Sequence, residues 1–519
     1  MYKNLRAQFE YIEKSFGDSP AICFKDRSIS YKELGEISNL IAKGFMYSES
    51  KYCVVLGNSS LPVFAGIFSA FKNNKTFVPL DSSTTQDMLL SIINSGKMDL
   101  ILISKDCLDL LPALNRVYHA LTIILLDFSV EDISNRIYIE LDKNHKLYQM
   151  SDLENIPTIL VTTKEKDNSS IYLMFTSGST GTPKGVEINE TNLNDFIKNI
   201  NELWGISNES RFSHISPLSF DFSIYEYFIP CLFGASVYVY NKLDYQSLGE
   251  FIIQSNISHW ASVPTTMLYM LNSKQFSNVQ YPSIQVSLIG GEALPSILAK
   301  EWKNVAINTK IYNGYGPTEA TVFISSYLWN ENNLSSNDSS IVPIGKVFPD
   351  NIFCIGHPSK ERLKKGPLWI SGKQVIKQYW LLENEHKFYA ENGNVWYNTG
   401  DIVQIDETGV LHYVGREDDQ IQIQGHRVEK LEIEVALKKG LKIELLALLP
   451  HKNNSLLIDG FTLFIDDSYS PLSVIALKKK CKMILKYSWI KEIIFLPIPV
   501  NKNNKIDYLS LSKLMKEEL

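Results

Sequence analysis

Phe175 to Gly185 reads FTSGSTGTPKG, and it follows directly on a short apolar run, Ile171 to Phe175. Gly178, Gly181 and Gly185 let the backbone approach an anion closely and take positive φ. Five hydroxyl residues, Thr176, Ser177, Ser179, Thr180 and Thr182, add donors, and Lys184 adds a charge, so the segment suits phosphate. A Gly/Ser/Thr stretch by itself reads as a flexible linker. Here a strand precedes it, Pro-Lys-Gly closes it and a patterned run follows. It is not a Walker loop, because no GK[ST] follows the glycines.

Outward from this segment the chain keeps an α/β rhythm. From about Ile29 to Ile133, helix-like stretches alternate with apolar β-branched runs such as Cys53 to Leu56 and Leu121 to Leu126, which predicts βαβ units and a largely parallel sheet. After the loop, Leu193 to Trp204 predicts an amphipathic helix with Leu193, Phe196, Ile197, Ile200 and Leu203 on one face, capped by Thr191 or Asn192. Asn330 to Ser340, rich in Asn and Ser, reads as an exposed loop. Beyond Gly415 the pattern changes: alternating Ile421 and Ile423, then a charged helix-like stretch from Glu429 to Lys439, open a separate α+β unit of roughly 100 residues. The boundary falls near Arg416 to Asp418.

Composition bounds the function. Of 519 residues, 45% are hydrophobic and 21% charged, enough for several packed units. A net charge of -6 with only short basic runs argues against a nucleic-acid partner. Six scattered cysteines without a CxxC pair argue against a zinc site or a disulfide framework. The charged start lacks a secretory pattern and no run of about 18 apolar residues occurs, so a cytoplasmic protein without membrane attachment is expected.

Three further segments carry chemistry. NGYGPTE, Asn313 to Glu319, is a glycine turn ending in a hydroxyl and a carboxylate; Thr318 can hold a phosphate and Glu319 a magnesium ion, although for this motif taken alone a capped turn is the better account. YNTGD, Tyr397 to Asp401, offers Asp401 to the hydroxyls of a ribose. GREDDQIQIQG, Gly415 to Gly425, puts Arg416 near a nucleotide and Asp418 at a pivot, or else forms a surface hairpin. Lys505, in NKNNKID, reads on composition alone as a solvated tail charge.

Taken in order, ISYKEL, FKNNKTFVPLD, FTSGSTGTPKG, FDFS, NGYGPTE, YNTGD, GREDDQIQIQGHRVE and NNKID resemble the core motifs of the adenylation domains of nonribosomal peptide synthetases, within the superfamily of acyl-CoA synthetases and firefly luciferase. The resemblance spans nearly the whole chain. It implies an N-terminal adenylation core, 1–415, of parallel-sheet subdomains with a distorted β-barrel, and a small mobile α+β C-terminal domain, 416–519. It also implies ATP and Mg2+ as cofactors. The loop from Thr176 to Gly185 would close over the β- and γ-phosphates, Glu319 would bind magnesium, Thr318 the α-phosphate, and Asp401 and Arg416 the ribose. Tyr315, between Gly314 and Gly316, would stack on adenine. Lys505 would bridge the substrate carboxylate and the adenylate. Asp418 would be the hinge of a domain rotation that brings Gly425 to the site, where glycine leaves room for a pantetheine arm.

FDFS, Phe220 to Ser223, implies an amino acid substrate, because Asp221 matches the position that pairs with an α-ammonium; a helix N-cap ahead of Phe222 is the lesser alternative for an Asp there. By spacing, the rest of the pocket would be Phe222, Tyr225, Ala261, Leu288, Gly290, Gly314, Val322 and Phe323. None is charged, so a neutral, small to medium, valine-like side chain is expected, with Tyr225 able to hold a hydroxyl. The implied partner is a phosphopantetheinylated carrier protein, with a small activator protein an accessory the resemblance admits, and the chain is expected to act as a monomer. No carrier segment follows Lys505, which reads as a freestanding enzyme or a piece of a larger synthetase. An acyl- or aryl-CoA ligase, a D-alanine–carrier protein ligase and a non-catalytic nucleotide-binding module are the rival readings. Three positions depart from the pattern: Asn504 stands where glycine is usual, Pro367 replaces an acidic residue in GPLWISGKQVIKQYW, and a Tyr-Met-Pro stretch is not recognisable around Met483 to Ser488.

Overall fold

The computed structural model describes residues 4–132, 142–157, 169–176, 183–240, 245–331, 341–382, 386–417, 420–423, 425–443, 445–452, 457–467, 473–500 and 506–517. Asp418, Lys505, Asn504, the loop interior from Ser177 to Thr182 and most of the Asn-rich segment lie outside them.

Two large sheets carry the N-terminal part. In a seven-stranded sheet, Tyr52–Leu56 pairs in parallel with Thr76–Leu80 on one side and Leu100–Ile103 on the other. Thr122–Leu125 and Lys146–Gln149 continue it, and Ser170–Thr176 joins beside Thr76–Leu80. Its central strands are buried on both faces, as helix-covered parallel strands must be, which is why they read as unbroken apolar runs. Only Lys184–Asn189 runs antiparallel, folding back on Ser170–Thr176 across the glycine-rich loop.

A nine-stranded sheet contains the parallel series Arg211–His214, His259–Ser262, Val286–Gly290 and Lys310–Tyr315, closed at that edge by antiparallel Ser325–Leu328 and Lys346–Val347. One continuous hydrophobic core joins the two sheets.

Helix Glu190–Trp204 packs between these layers. Its cap is Asn189, whose side chain accepts from the Asn192 amide, so Thr191 and Asn192 lie inside the helix rather than at its cap. Leu193, Phe196, Ile197 and Ile200 are buried as predicted, but Leu203 is 43% exposed and Trp204 takes the buried place. The helical period explains the correction: a residue eleven positions after Leu193 completes about three turns and returns to the same face, while one ten positions on falls short of it.

The barrel-like part is an antiparallel sheet of five strands forking at the long strand Asn394–Ile405, which pairs with Lys365–Gly372, Phe388–Glu391 and Leu411–Arg416. Pro367 sits where the ladder with Asn394–Ile405 shifts register, a place that tolerates a residue without an amide hydrogen. After Arg416 come a hairpin, Gln420–Ile423 with His426–Glu429, helices Lys430–Leu441 and Val474–Leu485, and a three-stranded sheet. These share a core of their own. All six cysteines are buried and free. Among the described residues no helix is long and apolar enough to cross a membrane.

Candidate functional site

Parallel strands deliver their C-terminal ends to one side of a sheet, and ligands of such sheets bind there. Here the ends of two sheets meet at one cleft of about 790 Å³. Ser170–Thr176 brings Thr176, with Pro183 closing the loop beside it; Lys310–Tyr315 brings Gly314 and Tyr315, followed by Gly316, Pro317 and Thr318. The forked sheet adds Asp401 and Arg416. Segments 140 residues apart in sequence therefore face the same space.

Asp401 is 6% exposed and both its oxygens are engaged. Arg416 donates to Oδ1 at 2.5 Å and the Tyr315 hydroxyl to Oδ2 at 2.5 Å. Arg416 also donates to the Thr399 carbonyl at 3.2 Å, so its guanidinium is held at two points. Burial, with the Asp401 carboxylate beside it, pushes the Tyr315 phenol well above its ordinary value and keeps it a donor. Its ring remains partly open to the cleft.

Glu319 is fully buried in the short turn Thr318–Ala320. Its Oε1 accepts from the Tyr379 hydroxyl at 2.6 Å, and its backbone carbonyl accepts from the Ile376 amide at 2.9 Å. Lys184, 9% exposed, lies with its ammonium 5.1 Å from the centre of the Tyr379 ring. Tyr379 thus touches both the carboxylate and the loop's lysine. Neither Tyr379 nor its neighbour Trp380 was singled out from sequence; the signal was the aromatic pair closing GPLWISGKQVIKQYW.

Another side of the cleft is lined by Asp221, Phe222, Gly314, Val322 and Phe323. Asp221 is 6% exposed. Phe323 meets Phe222 edge to face at 5.1 Å and covers two glycines: a Cβ at Gly290 would stand 2.5 Å from its ring, and one at Gly314 2.9 Å. Thr321 and Val322 take φ of 58° and 66°, a conformation that costs a β-branched residue about 1 to 3 kcal/mol each. Buried Gln374 holds this turn, donating to the Phe323 carbonyl at 2.7 Å and accepting from the Thr321 hydroxyl at 2.6 Å. Tyr225, Ala261, Leu288 and Gly290 are buried and do not line the cleft; Tyr225 packs on Trp204, Phe212 and Phe222, and its hydroxyl finds no hydrogen-bond partner among the described residues.

From the C-terminal part, Gly425 reaches the same cleft. Its φ is 81°, and a Cβ there would stand 2.9 Å from both Phe220 and Val263, so glycine alone fits.

Residues 9–380 match the family model described as AMP-binding enzyme. The chain belongs to that family. As an AMP-binding enzyme it is an ATP-dependent, AMP-forming ligase. Among curated proteins it is similar to the D-alanine–D-alanyl carrier protein ligase of Staphylococcus epidermidis, 27% identical over 518 residues, covering 96% of each chain. It is also similar to tyrocidine synthase 1 of Brevibacillus parabrevis, 26% identical over 455 residues, covering 84% of this chain and 38% of that one. Among solved structures it is similar to the adenylation domain AlmE of Vibrio cholerae in complex with glycyl-adenosine-5'-phosphate, with a TM-score of 0.84, 25% identity, and coverage of 99% of this chain and 98% of that one. Within the AMP-binding enzyme fold, Glu292 and Tyr487 also stand at the cleft, and neither was marked from sequence. Glu292 had a signal, the GGE that closes Val286–Gly290. Tyr487 had none, since its surroundings do not match the expected motif.

Proposed function

We propose that this AMP-binding enzyme activates a small to medium neutral amino acid as its aminoacyl adenylate, releases pyrophosphate, and passes the aminoacyl group to the phosphopantetheine thiol of a carrier protein. In the first step an oxygen of the amino acid carboxylate bonds to the α-phosphorus of ATP as the bond to the β-phosphate oxygen breaks. In the second the thiol sulfur bonds to the carbonyl carbon, AMP leaves, and the thiol proton passes to solvent.

The observation that carries this reading is the convergence on one cleft of Thr176 and Pro183, the Gly314 to Thr318 turn, the Tyr315–Asp401–Arg416 cluster and the Asp221 carboxylate. In it, Asp401 accepts from the ribose hydroxyls, which its remaining lone pairs allow. Thr318, Lys184 and Lys505 stabilise charge developing on phosphoryl oxygens, the usual largest contribution to such chemistry. Asp221 pairs with the α-ammonium, and Phe222 and Phe323 bound the side chain. Magnesium takes one or two carboxylates and completes its shell with phosphate oxygens and water; Glu319, fully buried, held by Tyr379 and just behind the cleft-lining Thr318, is the carboxylate that would serve it. When bound, the ion neutralises phosphate charge.

The two steps call for two arrangements of an N-terminal core, 1–415, and a C-terminal domain, 416–519, hinged at Asp418; Lys505 serves the first and Gly425 the second. The likeness to D-alanine–carrier protein ligases makes D-alanine a specific candidate for the amino acid. Buried free cysteines fit a reducing, cytosolic setting.

The test is exchange of labelled pyrophosphate into ATP across the twenty amino acids, D-alanine and benzoate. Exchange should depend on one neutral amino acid and fall severely in Lys505→Ala, with ATP binding retained. Exchange with benzoate alone, or wild-type exchange in Lys505→Ala, would overturn the assignment.

A further inference from the structure

Two polar contacts join the C-terminal part to the mouth of the cleft, and neither belongs to the groups assigned above to ATP or the amino acid. In the first, Glu292 is fixed from its own side: its Oε2 accepts from the Thr265 amide at 3.0 Å and the Thr265 hydroxyl at 2.7 Å, in the first turn of helix Pro264–Asn272. Its other oxygen, Oε1, accepts from the Gly425 amide at 3.1 Å. In the second, the Tyr487 hydroxyl donates to Ser83 Oγ at 3.0 Å. Ser83 is held in turn by Asp81, whose Oδ1 accepts from the Ser83 amide at 2.8 Å, while Asp81 Oδ2 accepts from the Ser219 hydroxyl, one residue before Phe220. Tyr487 stacks on Trp489 with ring centres 4.2 Å apart and lies 4.7 Å from the His426 ring. Each receiving group is therefore built into the N-terminal part, and the Tyr487 ring is packed on Trp489 and His426 in the C-terminal part.

We infer that Glu292 with the Gly425 amide and Ser83 with the Tyr487 hydroxyl form a latch that selects the arrangement used for thiol transfer, and so act as positioning residues for the second step alone. This rests on the two-step reading above. A contact present in only one of two arrangements shifts their populations by its own free energy and by nothing else. Removing it lowers the transfer-competent population and raises the other, so the two half-reactions respond in opposite directions. A residue needed only for the fold would depress both.

The experiment uses the full chain and three mild variants, Glu292→Gln, Tyr487→Phe and Ser83→Ala, together with Ser83→Ala/Tyr487→Phe. Amino-acid-dependent pyrophosphate exchange reads the first step. Single-turnover formation of the thioester with free pantetheine, from preformed adenylate of the amino acid giving the fastest exchange, reads the second. Loss of one such hydrogen bond predicts a transfer rate lower by about 2- to 10-fold in each variant, with exchange at or above the wild-type rate. The double variant should be no slower than Tyr487→Phe alone. A parallel fall of both half-reactions, or unchanged transfer in Glu292→Gln and Tyr487→Phe, overturns the latch while leaving the adenylation reading standing. Absence of exchange in the wild-type chain removes that reading and the latch with it.

Discussion

Tyr315→Phe isolates one atom of the proposed ribose site. The phenol oxygen donates at 2.5 Å to Asp401 Oδ2, and Arg416 donates at 2.5 Å to the other oxygen. A hydrogen bond to a charged, buried group contributes about 1.5 to 3 kcal/mol, or about 10- to 150-fold in an equilibrium constant. Arg416 keeps the carboxylate in place after the substitution, so the lower end applies, about tenfold. The ring, and with it the apolar surface it turns to the cleft, is retained. Because the ribose does not change in the reaction, a group that orients its partner stabilises ground and transition states alike. The expected outcome is therefore a rise of about tenfold in KM for ATP with kcat within about twofold of wild type. Pyrophosphate exchange measured against ATP concentration at saturating amino acid gives both constants. A KM within twofold of wild type would refute the assignment of Tyr315 and Asp401 to the nucleotide, and a fall in kcat at constant KM would move them into the chemical step.

Tyr379→Phe removes the donor to Glu319 without changing the packing of the ring, so the free Mg2+ needed for half-maximal exchange should rise about tenfold, with a smaller effect on ATP binding; coincident magnesium titrations would exclude Glu319 as the metal carboxylate. A different measurement concerns stability. Burial lowers the His259 imidazole from 6.5 to about 4, partly offset by its hydrogen bond with the Trp204 carbonyl. The unfolded chain then binds the proton more readily than the native one, so stability is whole above pH 6.5 and declines as pH falls toward 4, by about 3 kcal/mol in all. Urea midpoints across that interval should decline less steeply in His259→Asn, and identical slopes would assign the acid sensitivity to other groups.

How much of this was legible in sequence depended on whether a residue acts through its own chemistry or through its place in the fold. Strands such as Tyr52–Leu56 and Ser170–Thr176 were visible because burial on both faces enforces uninterrupted apolar runs. Thr176, Asp221, Tyr315, Thr318, Asp401 and Arg416 were visible because glycine turns and charged groups in apolar surroundings are conspicuous, and all six line the cleft. The positions proposed for the amino acid side chain divide in the structure between the cleft lining and the layer behind it. They were set by spacing, and spacing carries no information about which side chain lies in front of which: Phe323, placed by two strained residues and Gln374, stands over Gly290 and Gly314, while Leu288, Ala261 and Tyr225 fall behind the lining. Tyr379, Glu292 and Tyr487 were missed for the same reason, since each acts by touching a residue at least 60 positions away.

That long-range dependence is concentrated in five residues, Ile376 to Trp380. The Ile376 amide donates to the Glu319 carbonyl at 2.9 Å and the Tyr379 hydroxyl to its carboxylate at 2.6 Å, which holds the turn from one side. The Trp380 amide donates to the Gly185 carbonyl at 2.8 Å, so the strand that leaves the phosphate-suited loop is held by the very next residue. The Trp380 indole donates to the Tyr52 hydroxyl at 2.6 Å and packs edge-on against Phe175 at 5.6 Å, tying the same segment to the seven-stranded sheet. A Cβ on Gly185 would stand 2.9 Å from Trp380, and one on Gly96 2.7 Å, so both glycines are fixed by the bulk of one indole rather than by any turn of their own. A nucleotide spanning Thr176 and Thr318 needs the ends of two separate sheets kept in register, and loops alone do not supply that. The segment does so with backbone hydrogen bonds from Ile376 and Trp380, the buried Tyr379 and the partly buried Trp380 indole, which accounts for the aromatic residues at the close of this stretch.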